Sequence, residues 1–447
     1  EGYGISYKGI DFAEDNNFSL IIALDCGIKA IDKVAYAFKK EVDFIICDHH
    51  RPGAEIPKAK AVLDPKQEDC DYPFKELCGC GVGFKLIQAL ASKKGATIDD
   101  LVLYLDLVAT AIGADIVPIV GENRILAYHG LKVINENPRP GFEAILKQVK
   151  KEKLTITDVV FIIAPRINAA GRMKHGNHAV TLLCETDNNL AAEYAIDIDT
   201  YNTDRRDADK RITIEALVQI EENKEQDRFT SVVFDENWHK GVIGIVASRL
   251  TETYYRPTLV FTKSGEMLAA SARSVKGFDV YNALENTSEY IEQFGGHKYA
   301  AGLTLKPENY KSFKAQFEKV VEETIDPKML IPEISIDSQI SLSDITPKFY
   351  RILSQFAPFG PGNMTPVFMS EDIQDTGYGK QVGEDKTHLR FTATQHGSGK
   401  IVGIGFGLGE HIELIKNKKP FKAAYTIDEN EWNGNKNLQL KLKDLKA

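Results

Sequence analysis

Val42-Asp43-Phe44-Ile45-Ile46-Cys47-Asp48-His49-His50-Arg51-Pro52-Gly53 is the stretch on which the reading of this chain turns. An apolar run reaches Cys47 and stops on an acidic residue followed by two adjacent histidines. Upstream, Ser19 to Leu24 is a second apolar run, and it stops on Asp25 in the same way. From about Ile31 to Lys40 the pattern between them is helical. Short apolar runs joined by a helix predict a strand–helix–strand unit and a parallel sheet. Both acidic residues then leave the carboxyl ends of neighbouring strands, the edge at which open α/β sheets bind ligands. Carboxylate oxygens with two imidazole nitrogens are a donor set for a divalent cation, and suit Mn2+ better than Mg2+.

Downstream, Ala61 to Leu63 reads as a third short strand, and Gly81 to about Ser92 as a helix. Thr97 to about Ile112 reads as another helix, N-capped by Thr97 with Asp99 and Asp100 in its first turn. Asp106 lies among apolar neighbours there and needs a partner, either a metal ion or a buried basic side chain. Asp115 follows nine residues later, a rotation of roughly 180° on one continuous helix. Both cannot face one site, so Asp106 is taken as the ligand and Asp115 as a capping or structural residue.

Residues 138–157 hold Pro138, Pro140 and a cluster of Lys147, Lys150, Lys151 and Lys153, and read as a surface segment. Asn188 to Asp227 is polar and proline-free, as suits a long connecting helix. A second α/β unit begins near Thr230, with strands at 232–234 and 259–261, a helix from about Ile243 to Thr253 and a closing helix from Phe313 to Thr324. Beyond Asp326-Pro327 and Ile331-Pro332 come short alternating runs separated by turn residues such as Asn433-Gly434, the pattern of a small β-barrel. The expected division is a parallel-sheet α/β domain over 1–155, a connecting segment over 156–228, a smaller α/β domain over 229–328 and a barrel over 329–447.

Composition agrees with several ordinary packed domains: 447 residues, 43% hydrophobic and 27% charged. No apolar run approaches the ~18 residues of a membrane span, and the first residues are not a signal peptide, so a cytoplasmic protein without a membrane partner is expected. The formal net charge of −9 does not exclude a polyanionic partner, because a phosphate groove needs only local basic residues. The six cysteines read as reduced thiols acting as small hydrophobes. Cys78-Gly79-Cys80 lacks the spacing of a zinc knuckle.

Taken together, these motifs resemble the DHH phosphoesterase superfamily, and its RecJ family in particular. Asp25-Cys26-Gly27 resembles the second superfamily motif, and Asp48-His49-His50 the third, from which the name comes. Asp106-Leu107-Val108-Ala109 through Ala114-Asp115-Ile116-Val117-Pro118 resembles the fourth. Arg166-Ile167-Asn168-Ala169-Ala170-Gly171-Arg172 is similar to a RecJ signature. Ser271-Ala272-Arg273-Ser274 and Gly295-Gly296-His297-Lys298-Tyr299-Ala300-Ala301-Gly302 resemble the DHH-associated domain. Pro358-Phe359-Gly360-Pro361-Gly362-Asn363 and Asn430-Glu431-Trp432-Asn433-Gly434 resemble the RecJ OB-type domain.

The resemblance implies an exonuclease that degrades single-stranded DNA from its 5′ end by two-metal hydrolysis with Mn2+ or Mg2+, in recombination and repair. It implies Asp25, His49 and Asp106 as metal ligands, His50 as a ligand or phosphate contact, and Asp48 as the residue that orients a histidine. Ser271 and Arg273, two apart on an extended segment, suit a terminal 5′ phosphate. Arg172, Asn168 and His297 are further phosphate or DNA contacts, and Gly295, Gly296 and Gly302 allow close backbone approach. Phe359 and Trp432 are candidates for base stacking. A helicase and a single-strand-binding protein are conceivable partners, and a monomer is expected. Two other readings stand beside this one: a DHH oligoribonuclease or phosphatase, and a non-catalytic single-strand-binding scaffold. One departure is that the Asp-x-Asp of the first motif is absent, since Asp11 and Asp15 do not form it. The expectation is therefore a first motif upstream of residue 1, a partial metal site here, and little activity in the chain as given.

Overall fold

The structure, a computed structural model, describes residues 4–149, 151, 153–417, 419–432 and 434–447, and the side chains of these except 432 and 435. The apolar runs that end on aspartates form its first sheet. β1 (Leu20–Leu24), β2 (Asp43–Cys47) and β3 (Ala61–Leu63) lie parallel in that order. The register pairs Leu24 with Cys47 and Cys47 with Leu63, so the three strands end level. Two hydrogen bonds carry the ladder one residue further: Asp25 N–H donates to Cys47 O at 2.9 Å, and Asp48 N–H to Leu63 O at 3.0 Å. Helices α1 (Tyr7–Asp15) and α2 (Ile31–Lys39) bury Ile10, Ala13, Val34 and Ala37 with Phe44 and Ile46 of β2.

Three more helices follow: α3 (Gly79–Lys93), α4 (Leu105–Asp115) and α5 (Gly121–Glu136). The helix expected from Thr97 is divided. Thr97 and Asp100 form a capping box on a 3-10 turn, Ile98–Tyr104, and α4 begins only at Leu105. α4 and α5 approach closely at Gly130, where a Cβ would lie 2.0 Å from the Leu105 carbonyl oxygen.

By its contacts the chain divides into two units, and residues 139–149 and 165–333 form the second. Its longest element is the helix Asn188–Glu222, whose N-cap Asp187 accepts from the N–H groups of Asn189 and Leu190; this is the expected connecting helix. The sheet of this unit runs β4 (Ser231–Phe234), β5 (Thr258–Ser264), β6 (Met267–Arg273), β8 (Ala300–Leu305), β7 (Gln293–His297). Only β4 and β5 are parallel; the other pairs are antiparallel. One face buries Phe261 and Leu303 against Phe313 and Phe317 of the helix Tyr310–Thr324. The other buries Val233 and Val260 against Val246 and Leu250 of the helix Ile243–Tyr254 and Ile212 and Ala216 of the long helix.

The last part of the chain returns to the first unit. It holds β9 (Ser338–Gln339), β10 (Phe368–Asp375), β11 (Lys380–Val382), β12 (His388–Thr394), β13 (Ile401–Gly405), β14 (Phe421–Trp432) and β15 (Asn435–Lys446). The order is β11-β12-β13-β15-β14-β10-β9, and a further pairing of β10 with β12 brings the sheet round on itself. Phe391, Phe421, Tyr425 and Leu440 fill its interior. The Pro358–Asn363 segment holds this barrel to the loop after α4. Ile119 N–H donates to Pro361 O at 2.6 Å, and the Arg124 guanidinium donates to the carbonyls of Gln355, Phe356 and Ala357. Gly360 is required there, because a Cβ would sit 2.4 Å from Ile119 Cγ1. The α/β class, long helix and C-terminal barrel expected from the sequence are all present. Among the described residues no helix is long and apolar enough to cross a membrane.

The Gly130 contact is testable. Gly130→Ala forces overpacking between α4 and α5, and is expected to cost about 1–3 kcal/mol. Urea unfolding monitored by circular dichroism checks this through a lower midpoint at an unchanged slope.

Candidate metal centre

The level ends of β1 and β2 bring the acidic and histidine residues together. Asp25 follows β1 in a left-handed backbone conformation, φ 64°, uncommon for a residue with a Cβ. It packs on the N-terminus of α3, where a Cβ on Gly79 would lie 2.6 Å from Asp25 Cα. The Cys78-Gly79-Cys80 run thus matters for its glycine; the Cys78 thiol only caps the helix, accepting from Gly81 N–H at 3.3 Å.

Asp48 is buried and satisfied by four donors. Its Oδ2 accepts from Ile28 N–H at 2.9 Å. Its Oδ1 accepts from His49 N–H at 2.8 Å, His50 N–H at 3.2 Å and the His50 ring at Nδ1, 2.7 Å. Burial pushes the Asp48 carboxyl upward, but the His50 ring and the backbone N–H groups outweigh it and hold the carboxyl well below its ordinary value. The hydrogen bond to Asp48 in turn raises the His50 imidazole above its ordinary value, against the effect of burial.

His49 is 8% exposed and turns its Nε2 toward two carboxylates, Asp25 Oδ1 at 3.1 Å and Asp115 Oδ2 at 3.4 Å. These are short contacts between atoms of ion-pairing type, yet this buried nitrogen has no well-directed hydrogen bond. An imidazole nitrogen facing two carboxylate oxygens without a directed hydrogen bond is a donor set that suits a cation. Asp25, His49 and His50 each offer a ligand atom within 4.8 Å of the others.

The structure brings Asp115, and not the expected Asp106, up to His49. The rotation argument separates them, but it does not say which end of α4 meets the sheet edge. Asp115, the last residue of α4 before left-handed Ile116, is the one that reaches His49. Asp106 lies at the other end of the helix, 1% exposed, with Oδ1 accepting from Leu107 N–H at 2.6 Å. The sequence reading also passed over Asp64, which ends β3 just as Asp25 and Asp48 end their strands. The signal was the repetition of the pattern, hidden by a strand only three residues long.

Of the residues expected to meet phosphate, Ser271, Arg273 and His297 lie in register on one sheet of the second unit, while Asn168 and Arg172 lie on the helix Ala164–Met173. The register aligns Arg273 with Ala300 and Ala300 with His297, and Ser271 with Gly302 and Gly302 with Gly295. Arg273 Nη1 donates to Ser271 Oγ at 3.0 Å and its Nε to Ser248 Oγ at 3.1 Å. Gly295 and Gly302 leave bare backbone, with no heavy atom nearer than 3.8 Å to a Cβ on either. Gly296 differs: at φ 149° its Cβ would lie 2.4 Å from Ala300 O. Arg172 donates to Gly241 O at 3.0 Å, and burial followed by its own charge depresses the Arg273 guanidinium. Arg205, not anticipated, belongs to the same cluster, and its buried Nε has no hydrogen-bond partner. Asn168 is exposed, and Arg166 pairs with Asp199 at 2.8 Å.

In the barrel, Phe359 is half-buried in the docking segment, whereas Phe356 is 55% exposed. The side chain of Trp432 lies outside the described residues. A surface not anticipated runs across the outer face. Lys380 pairs in register with Arg390, Arg390 with Ile404 and Ile404 with Lys441. All three cations are exposed, and exposed Phe406 stands edge-on to His388 beside them.

Family comparisons agree with this layout. The family described as "DHH family, N-terminal domain" matches residues 5–112, "DHHA1 domain" matches 226–323 and "RecJ OB domain" matches 336–444. The single-stranded-DNA-specific exonuclease RecJ of Bacillus subtilis is 35% identical over 99% of this chain and 56% of its own length. The Escherichia coli protein of the same name is 32% identical over 98% of this chain and 79% of its own. The crystal structure of RecJ from Thermus thermophilus in complex with Mn2+ superposes with a TM-score of 0.86 at 26% identity, covering 99% of this chain and 64% of that one. The chain thus spans little more than half the length of the Bacillus subtilis relative.

The depressed Asp48 carboxyl gives a signed pH prediction. Its contribution to stability is present above the ordinary value of 3.8 and is lost as pH falls through its lower folded value. Comparing unfolding of the metal-free chain with that of Asp48→Asn from pH 7 down to about pH 2, into the acid end of that linkage, checks this. The variant is expected to be less stable at pH 7, with the gap narrowing on acidification.

Proposed function

The chain belongs to the RecJ family, and from that footing we propose that it is a divalent-metal-dependent exonuclease that degrades single-stranded DNA from the 5′ end. The observation that carries this reading is the buried His49 Nε2, faced by the carboxylates of Asp25 and Asp115 and without a directed hydrogen bond. That donor set of carboxylates and imidazole fits Mn2+ or Mg2+, the first more closely. Asp25, His49 and Asp115 would hold the ion; Asp106 is not proposed as a ligand.

A bound divalent ion supplies a water of lowered pKa and neutralises charge on the scissile phosphate. Asp48 keeps the His50 ring in one tautomer and orientation, with Nδ1 committed and Nε2 free to contact the ion or a phosphate oxygen. Arg273, Ser271 and Arg172 bind the terminal 5′ phosphate. The N-terminus of the helix Ile243–Tyr254 adds to that site: it has no side-chain cap, and Gly244 lies against Ser271 and Arg273. His297, Gly295 and Gly302 make a nearly bare strip on which a sugar–phosphate backbone lies close. The cationic row and Phe406 of the barrel suit a single strand of nucleic acid. A place in recombination and repair follows from this substrate, in company with a helicase and a single-strand-binding protein.

The test is incubation of 5′-labelled single-stranded DNA, duplex DNA and short RNA with the chain and Mn2+. Slow mononucleotide release from the 5′ end of single-stranded DNA is expected, as suits a partial metal site. Preference for short RNA would instead support an oligoribonuclease, and binding without turnover a scaffold. Asp115→Asn is expected to lower kcat beyond the about 10–100-fold typical of supporting residues, and Asp106→Asn to fall short of it. Arg273→Ala should raise KM for 5′-phosphorylated ends while changing 5′-hydroxyl ends little.

A further inference from the structure

The long helix Asn188–Glu222 and the helix Ile243–Tyr254 line an open groove of about 640 Å³ that the mechanism above does not use. Arg249 stands on one side of it, its side chain 53% exposed. Its Nε and Nη2 donate to the carboxylate of Asp209 at 2.8 and 2.7 Å, and Asp209 is 1% exposed. That two-pronged pair holds the guanidinium in place and leaves its remaining N–H groups open. Arg206 and Lys210 line the other side; four residues apart, they share one face of the long helix. Both are exposed, and among the described residues neither has a carboxylate partner. Exposed Asp207 and Ile214 complete the lining.

The groove adjoins the cluster to which the terminal phosphate was assigned. Ser248 Oγ accepts from Arg273 Nε at 3.1 Å, and the next residue along the helix is Arg249. Arg205, whose guanidinium feels the charge of Arg172, directly precedes Arg206. Each helix thus gives one residue to the cluster and the next to the groove. A 5′ exonuclease frees a nucleoside 5′-monophosphate, and its phosphate departs from that cluster. Two guanidinium groups and an ammonium group suit a phosphate dianion. Asp207 opposes a polyanionic strand, yet it can accept from a sugar hydroxyl or a base N–H. Ile214 offers apolar surface to a base. The volume is that of a small-molecule site, about 300–1,000 Å³. We propose that this groove binds a nucleoside 5′-monophosphate, the released product, with Arg206, Lys210 and Arg249 on its phosphate and Asp207 on its sugar or base. The source of the ligand rests on the exonuclease reading proposed above.

Calorimetric titration of the full chain with thymidine 5′-monophosphate tests this without a metal ion, and so without turnover. Binding is expected in the wild type and also in Arg273→Ala, in which the neighbouring cluster is disabled. Adding Arg206→Ala and Lys210→Ala to that variant is expected to weaken binding at least about tenfold. In the wild-type background the same two substitutions should remove one of two binding events, which keeps the test intact if Arg273→Ala does not fold. Unchanged affinity after both substitutions would overturn the proposal. Inorganic phosphate bound in the groove as tightly as the nucleotide would overturn it in favour of a plain anion site. A 5′-phosphorylated oligonucleotide losing as much affinity as the mononucleotide would overturn it in favour of a path for the strand. A chain that binds the nucleotide here but degrades no DNA refutes the exonuclease reading and leaves the site standing. One that degrades DNA without binding the nucleotide here refutes the site alone.

Discussion

The four hydrogen bonds on the Asp48 carboxylate are the constraint on which the candidate metal centre depends. One of them, from Ile28 N–H, reaches back to the turn that follows Asp25. The other three come from the two residues that follow Asp48 itself. A single buried anion therefore fixes the β1 turn, the backbone of both histidines and the ring of one of them. A protonated or amide side chain offers fewer acceptor sites, so the arrangement needs the carboxylate. The rest of the site accommodates this point: Gly79 makes room for Asp25 at the N-terminus of α3, and α4 ends where Asp115 can reach His49.

Much of this was legible in the amino-acid sequence, for definable reasons. Asp48-His49-His50 stood out because an apolar run of strand length ended on it, and Asp25 repeated the pattern. The long helix was readable from its lack of proline, and the barrel from alternation and turn residues. That Asp115 rather than Asp106 reaches His49 was not legible, because helical periodicity gives relative rotation, while the choice between them depends on which helix end meets the sheet. Asp64 was missed because three residues carry too little pattern to mark a strand end. The cationic row on the barrel was out of reach for another reason. It exists only through register across four strands, including the parallel pairing of β13 with β15, which joins residues far apart in the chain.

The net charge of −9 is correspondingly uninformative. The strand ends concentrate carboxylates in one unit. In the other, Arg172, Arg205 and Arg273 depress one another or are depressed by burial. Arg249 is the member of that neighbourhood with a carboxylate of its own, a two-pronged pair with Asp209 at 2.7 and 2.8 Å. Opposite local charges cancel in the sum while each keeps its own chemistry.

Lys380 facing Arg390 across β11 and β12 has one more consequence. Like charges directly opposite on a sheet repel, and dissolved ions weaken that repulsion over about 10 Å at 0.1 M. Raising ionic strength therefore relaxes this face of the barrel. It would also weaken the proposed grip of the same cations on a phosphate chain, since each counterion released on binding gains less entropy in more concentrated salt. Folding and the proposed grip would respond to salt in opposite directions at one set of side chains, the repulsion between them being weakest under the conditions in which a strand would be held least tightly.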